Sequence, residues 1–245
     1  QLRLDCRYNV TCCLTTDEEV GGFPGALELA QRGHFNGHVL CLEGSQEPEE
    51  YLAAAGMVDV HVTAKGRSCH TGVNFLGVNA VEEMVPVLEE MIALKREVEA
   101  REANIPGVPG VGGAPQRMRP TFTLAVLRGG EKSNVVPADC TLIINRRYTP
   151  EENEDVVVRE ILDAVERGRS RSHALELVTQ VLPGFPAMRV NLDNPHAARL
   201  RDAKKVVLGY RDADFRRYAS AKSYDLGFVQ RVTGNDQFYF LGVSR

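Results

Sequence analysis

The chain has 245 residues, 43% of them hydrophobic and 25% charged, with a formal net charge of −4. These are ordinary globular values, and the length accommodates one large domain or two modest ones. The weak acidity and the lack of a long basic run argue against a nucleic-acid groove, and no stretch approaches the roughly 20 apolar residues of a membrane span.

In chain order, the first expected element is a buried strand at Val10-Thr11-Cys12-Cys13-Leu14-Thr15, followed by the carboxylates Asp17, Glu18 and Glu19. A helix is predicted from Gly25 to Gly33. A second short apolar run, His38 to Leu42, then closes on Glu43. Strand, helix and strand read as a βαβ unit with parallel strands. Ligands of such sheets sit beyond the carboxyl ends of the strands, so Glu18, Glu19 and Glu43 are expected at that edge. Carboxylates gathered there suit a cation, a proton-transfer role, or both. Acidic residues also complement the first turn of a helix, and position alone leaves that structural reading open.

The charged turn Gln46 to Glu50 closes the first stretch, residues 1 to 56. From 57 to 185 a different pattern begins. Val58, Val60 and Val62 alternate with Asp59, His61 and Thr63, the period of a half-exposed strand. A long helix is predicted from Asn79 to Arg101, with Val81, Val85, Leu88 and Ile92 as its apolar stripe and a kink at Pro86. The Gly- and Pro-rich Ile105 to Pro120 reads as an exposed or mobile insertion.

Two strands follow, Thr121 to Arg128 and Cys140 to Asn145. A second helix is expected to open at Thr149 as N-cap, with Pro150 at its first position and Glu152 completing a capping box, and to end at Gly168. Leu175 to Leu182 makes the last strand. The order β-α-β-β-α-β describes a ferredoxin-like sandwich whose free edge could pair with another copy. Residues 186 to 245, with a helix at Pro195 to Leu208 and a strand near Phe238 to Leu241, read as more of the first part. The expected fold class is therefore α/β, a parallel-sheet domain into which the sandwich is inserted.

The cysteines at 6, 12, 13, 41, 69 and 140 show no CxxC pair. They are expected to be reduced thiols of a cytoplasmic protein, with Cys12, Cys13 and Cys41 buried.

Several landmarks stand in one order. They are Thr15-Thr16-Asp17-Glu18-Glu19-Val20-Gly21-Gly22, Leu42-Glu43-Gly44-Ser45 and Lys65-Gly66-Arg67-Ser68-Cys69-His70-Thr71-Gly72. Then come Gly77-Val78-Asn79-Ala80, Asn134-Val135-Val136-Pro137, Arg146-Arg147-Tyr148-Thr149-Pro150 and Ser223-Tyr224-Asp225. The chain resembles, over nearly its whole length, the co-catalytic zinc aminoacylase/carboxypeptidase family, the group of acetylornithine deacetylase, succinyl-diaminopimelate desuccinylase and glutamate carboxypeptidase. The resemblance implies a zinc-hydrolase catalytic domain, incomplete here, with the sandwich as its lid and dimerisation domain.

It further implies Glu18 as general acid/base, with Glu19 and Glu43 as metal ligands. His70 would stabilise the oxyanion, often in the partner subunit's site, and Asn134 and Arg147 would bind substrate, Arg147 taking its carboxylate. Arg146 is the lesser choice, read as an exposed strand-end charge. Asn145 stands where many relatives have Asp, and Asp225 matches an acidic residue of the C-terminal segment. Two zincs per site are implied, with cobalt or manganese as alternatives. The implied partners are an N-acyl amino acid or small peptide and a second copy of the chain, with no nucleic acid and no membrane.

The family draws further metal ligands from an HxD motif before the DEE segment and from a late His, and neither has a counterpart here. The chain is therefore expected to be a partial one, inactive as it stands. The alternative is a non-catalytic dimerisation or binding module of the same fold.

Overall fold

The computed structural model describes residues 9–16, 25–43, 48–114 and 116–241. Along them run α1 (Gly25–Gln31), β1 (Val39–Cys41), β2 (Glu49–Ala54), β3 (Gly56–Lys65), α2 (Ala80–Glu99), β4 (Thr121–Gly129) and β5 (Asp139–Tyr148). There follow α3 (Glu154–Arg169), β6 (Glu176–Phe185), β7 (Met188–Arg189), α4 (Pro195–Leu208), β8 (Arg216–Ser220), α5 (Leu226–Thr233) and β9 (Phe238–Phe240). No helix among the described residues is long and apolar enough to cross a membrane.

Strict alternation builds the central sheet. In β3 every second residue, Val58, Val60, Val62 and Ala64, is buried, and Leu142 and Ile144 of β5 meet them from the neighbouring strand. The sheet order is β4-β5-β3-β6 with every neighbour antiparallel. Helices α2 and α3 cover the apolar face, so this unit is the ferredoxin-like sandwich.

On α2 the buried face is Ala80, Met84, Val87, Met91, Leu94 and Val98. The stripe expected to be buried lies elsewhere: Val81, Val85 and Ile92 are exposed, with only Leu88 packed against the core. The helix is apolar on more than one face, and the sheet takes the set offset by one residue, about 100° around the helix. The outer stripe begins beside β4, where a Cβ on Gly129 would stand 2.6 Å from Val81 Cγ2. The helix runs through Pro86 as one element.

The second helix opens later than its Thr-Pro-Glu-Glu text suggests. Asn153 is the N-cap of α3, its side chain accepting from the backbone N–H of Asp155 and Val156. Glu152 does reach back to the Thr149 N–H at 2.8 Å, but that bond closes a turn ahead of the helix. Nor does Gly168 end α3. It is a buried helical residue, and an added Cβ would come within 2.7 Å of Val87 Cα. Its missing side chain lets α2 and α3 approach closely.

The Gly/Pro-rich segment after α2 is exposed along much of its length, as expected, but its ends pair as a hairpin. Backbone bonds join Ala103 to Met118, Met118 to Ile105 and Gly107 to Gln116. Ala103, Ile105 and Met118 bury against Ala53, Ala55 and Ala219. The hairpin thus straps the sandwich to the remainder of the chain.

That remainder is built from short strands. β1 pairs in parallel with β9, and β2 pairs in parallel with β8 and antiparallel with β7. The charged turn read at Gln46 to Glu50 is in part the start of β2, with Glu49 and Glu50 both buried. The strand expected at Val10 to Thr15 does not form: residues 9–15 carry no regular structure, and Val10 and Leu14 are exposed. The run has no partner strand among the described residues, and an unpaired strand has no ladder to hold it. Cys12 is consequently exposed, and Cys13 and Cys41 are half-buried instead of buried.

Candidate functional site

The parallel strands fix one edge. Glu43 follows the carboxyl end of β1, and the loop Ala221-Lys222-Ser223 follows that of β8. Tyr224 and Ser220 are buried beneath that loop with their hydroxyls 3.2 Å apart. Burial pushes the Tyr224 phenol well above its ordinary range, with smaller upward contributions from Tyr51 and the Glu43 carboxylate. Asp225 is buried at the N-terminal boundary of α5, which its side chain does not cap.

Arg147, near the end of β5, comes to the same place from the sandwich. Its Nη1 donates to the Ala221 carbonyl at 3.3 Å and to Ser223 Oγ at 3.2 Å. Arg146 points to the other face and is fully buried, donating to Glu152 at 2.7 Å and to the Arg147 carbonyl. It is a core ion-pair residue, where an exposed strand-end charge was expected. Asn145 donates to Asp59 across the sheet at 2.7 Å.

His70 and Asn134 lie elsewhere, although together. The Thr71 N–H donates to the Asn134 carbonyl, and His70 bridges to Val135. The His70 ring is exposed, its Nδ1 accepting from the Gly72 N–H at 3.0 Å. Both residues follow the far end of the sheet. Lys65 pairs with Asp139 there, whereas Arg147 pairs with Met57. At about 3.3 Å per residue, that register separates the two ends of the sheet by roughly 25 Å.

Glu18 and Glu19 lie outside the described residues. Among the described residues no three His, Cys, Asp or Glu converge to hold a metal ion. Glu43 does not make a metal centre with its described neighbours, and no metal-borne step follows from them.

The structure also brings forward residues that sequence reasoning passed over. Ser223 is the side chain that meets Arg147, while the motif spacing drew attention to Asp225 instead. No local pattern announces a contact between residues 76 positions apart. Glu50, inside β2, is held by Arg201, Arg217 and the Tyr239 hydroxyl.

Residues 52–171 match the M20 peptidase dimerisation domain family. Over 112 residues the chain is 32% identical to a "Probable carboxypeptidase" of Aspergillus terreus, a stretch that is 44% of this chain and 24% of that protein. A second, from Paracoccidioides lutzii, is 32% identical over 111 residues, with 44% and 24% covered. The chain thus spans about a quarter of the length of the curated relatives it matches. Among solved structures, the di-peptidase Dug1p of Saccharomyces cerevisiae superposes with a TM-score of 0.67 at 15% identity, covering 94% of this chain and 57% of that one. A tripeptidase of Staphylococcus aureus gives 0.65 at 16% identity, covering 94% and 54%. At those identities the likeness is one of fold.

Proposed function

We propose, because residues 52–171 match the peptidase dimerisation domain of the M20 family, that the protein is a homodimeric, metal-dependent hydrolase. Its reaction is cleavage of an amide bond in an N-acyl amino acid or small peptide with a free carboxylate. The observation that carries this is the separation along the sheet. His70 and Asn134 sit at one end and Arg147 at the other. No single copy can bring all three to one small substrate. A two-fold pair can, by setting His70 and Asn134 of one protomer against Arg147 of the next, because a closed two-fold interface repeats each contact twice.

The surface for such pairing is present. Among the described residues β4 has β5 on one side only, which leaves its other edge open, and Leu127 on it is exposed. The exposed Val81, Val85 and Ile92 stripe of α2 continues that apolar surface. An open strand edge beside an unpartnered apolar helix stripe favours association through both.

In this reading Arg147 binds the substrate carboxylate through its planar fork. Glu18 takes the proton of the attacking water and returns it to the leaving amine. His70 donates to the oxygen on which charge develops. Any metal held would take Glu19 and Glu43 only as part of a donor set that the described residues do not complete. A cytoplasmic location is part of this proposal, on the cysteine spacing, which shows no CxxC pair.

Complementation tests the reading. His70→Ala and Arg147→Ala proteins, made from the whole reading frame, are each expected to lose most of their turnover at substrate concentrations below KM on a panel of N-acetyl amino acids and dipeptides. Mixed under subunit exchange, they should regain about a quarter of wild-type activity, because heterodimers hold one intact composite site. Recovery of nothing, with wild type active, would place all three residues' roles within one copy. A wild-type dimer inert on the whole panel with zinc supplied would leave the non-catalytic dimerisation module as the better account.

A further inference from the structure

Arg147 is held before any substrate arrives, and the manner of holding selects which edge of its guanidinium is free. Nη1 carries two N–H groups, and two acceptors meet it, the Ala221 carbonyl at 3.3 Å and Ser223 Oγ at 3.2 Å. The edge formed by Nε and Nη2 is left over. That edge offers two parallel N–H donors, the side-on fork that matches a carboxylate.

The loop that does the holding is itself fixed from three directions. The Ala55 N–H donates to the Lys222 carbonyl at 3.1 Å, and the Lys222 N–H donates to Ser220 Oγ at 3.1 Å. Ser220 Oγ is in turn paired with the Tyr224 hydroxyl in the buried layer. One residue upstream, the Ala219 N–H donates to the Pro106 carbonyl of the 103–118 hairpin at 2.7 Å. A loop anchored to Ala55 just after β2, to a buried hydroxyl pair and to the strap presents Ser223 at a set place, so orienting Arg147 costs little at the moment of binding.

We propose that Ser223, together with the Ala221 carbonyl, is the positioning residue for Arg147, turning its Nε–Nη2 edge toward the substrate carboxylate. This rests on the role given to Arg147 above. It adds a specificity element from the segment after β8, on the opposite side of the boundary between sandwich and flanking part.

The test uses Ser223→Ala, Ser223→Thr and Arg147→Ala in the dimeric protein. Substrates are alanyl-leucine and N-acetyl-leucine beside their C-terminal amides, which lack the carboxylate. Ser223→Ala is expected to raise KM for the acids about fivefold, the size of one ordinary hydrogen bond. It should leave kcat within about twofold and KM for the amides unchanged. Ser223→Thr, which keeps the hydroxyl, should restore the wild-type KM.

Carbon-detected NMR of the Arg147 side chain supplies a readout that needs no turnover. Rotation of the guanidinium should be slow in wild type and Ser223→Thr, and several-fold faster in Ser223→Ala. Unchanged rotation in Ser223→Ala overturns the positioning role whether or not any substrate is cleaved. If Arg147→Ala raises KM for the acids while Ser223→Ala does not, positioning falls and the carboxylate role of Arg147 stands. If Arg147→Ala leaves KM for the acids unchanged, the carboxylate role itself falls.

Discussion

The core of the sandwich is almost wholly aliphatic, with Val58, Val60, Val62, Met84, Val87, Met91, Leu142, Ile144 and Ile161 closing against one another. The flanking part has a different interior. Tyr51, Tyr218, Tyr224, Phe238, Tyr239 and Phe240 fill it, several as tilted ring pairs 4.9 to 6.2 Å apart. Both parts bury a charge. In the sandwich, Arg146 meets Glu152 and Glu160, which lie just downstream in the same chain segment. In the flanking part, Glu50 of β2 is met by Arg201 of α4, Arg217 of β8 and Tyr239 of β9. One part is held by a local pattern repeated along long strands, the other by contacts among elements far apart in the chain.

That contrast is open to a direct break. Glu50 is fully buried, with Arg201 Nη2 at 2.5 Å and Arg217 Nε at 2.9 Å. Removing one member of such a cluster leaves its partners uncompensated, at a cost of about 3 kcal/mol or more. Glu50→Ala should therefore lower the unfolding midpoint sharply in a denaturant titration. Hydrogen exchange should show the loss in β2, β8 and β9 while amides of β3 and β5 stay protected. Equal loss of protection in both parts would mean that they unfold as one unit and that the comparison is one of composition only.

The next effect probes the sandwich. Gly168 faces Val87 so closely that an added Cβ would stand 2.7 Å from its backbone, which cannot yield as a flexible side chain would. Gly168→Ala should destabilise by about 1 to 3 kcal/mol through overpacking, against the usual gain for Ala over Gly in a helix. A stabilised variant would mean that α2 and α3 part readily, and that the aliphatic core is looser than its burial indicates.

The two parts also differ in how far the sequence discloses them. The period-2 run in β3 and the helices that follow it announce the sandwich, because each long element carries its own repeat. Errors there are local. The Thr149 to Glu152 text forms its expected back-bond yet ends as a turn, since Asn153 stands ready as a better cap four residues on. Single substitutions sort these two. Asn153→Ala should cost about 1 kcal/mol, the ordinary value of a lost N-cap, read as a shift in thermal midpoint. Thr149→Ala should cost less, and a larger loss at Thr149 would restore the earlier helix start.

In the flanking part the misreadings are of another kind. β1 was legible as a strand, but its partner is β9, nearly the whole chain away. The Glu49-Glu50 pair looks like solvent-exposed turn text because the arginines that permit its burial are in α4 and β8. The candidate site divides along the same line. Arg147 and His70 are given roles by motif, whereas Ser223, present in the Ser223-Tyr224-Asp225 landmark without a role, gains one from the contact it makes.

The smallest effect expected is also the one that best separates a local from a long-range contact. His38, just before β1, stacks on His196 in the first turn of α4 with ring centroids 3.4 Å apart. Partial desolvation beside the His196 ring lowers the His38 pKa below its ordinary 6.5, and the charges of His196 and Arg199 lower it further. A histidine whose folded pKa is depressed takes up its proton more readily when unfolded. Its contribution is therefore present above about pH 6.5 and is lost as pH falls from there toward the folded value. Wild type should lose stability between pH 7 and the mildly acidic range, with exchange rising first in β1 and β9. His38→Gln should flatten that part of the slope while leaving the sandwich unaffected. An identical slope in the variant would show that acid sensitivity resides in other groups and that the β1–α4 contact is indifferent to charge. The change should stay small because His38 is exposed, and water around an exposed ring screens the repulsion.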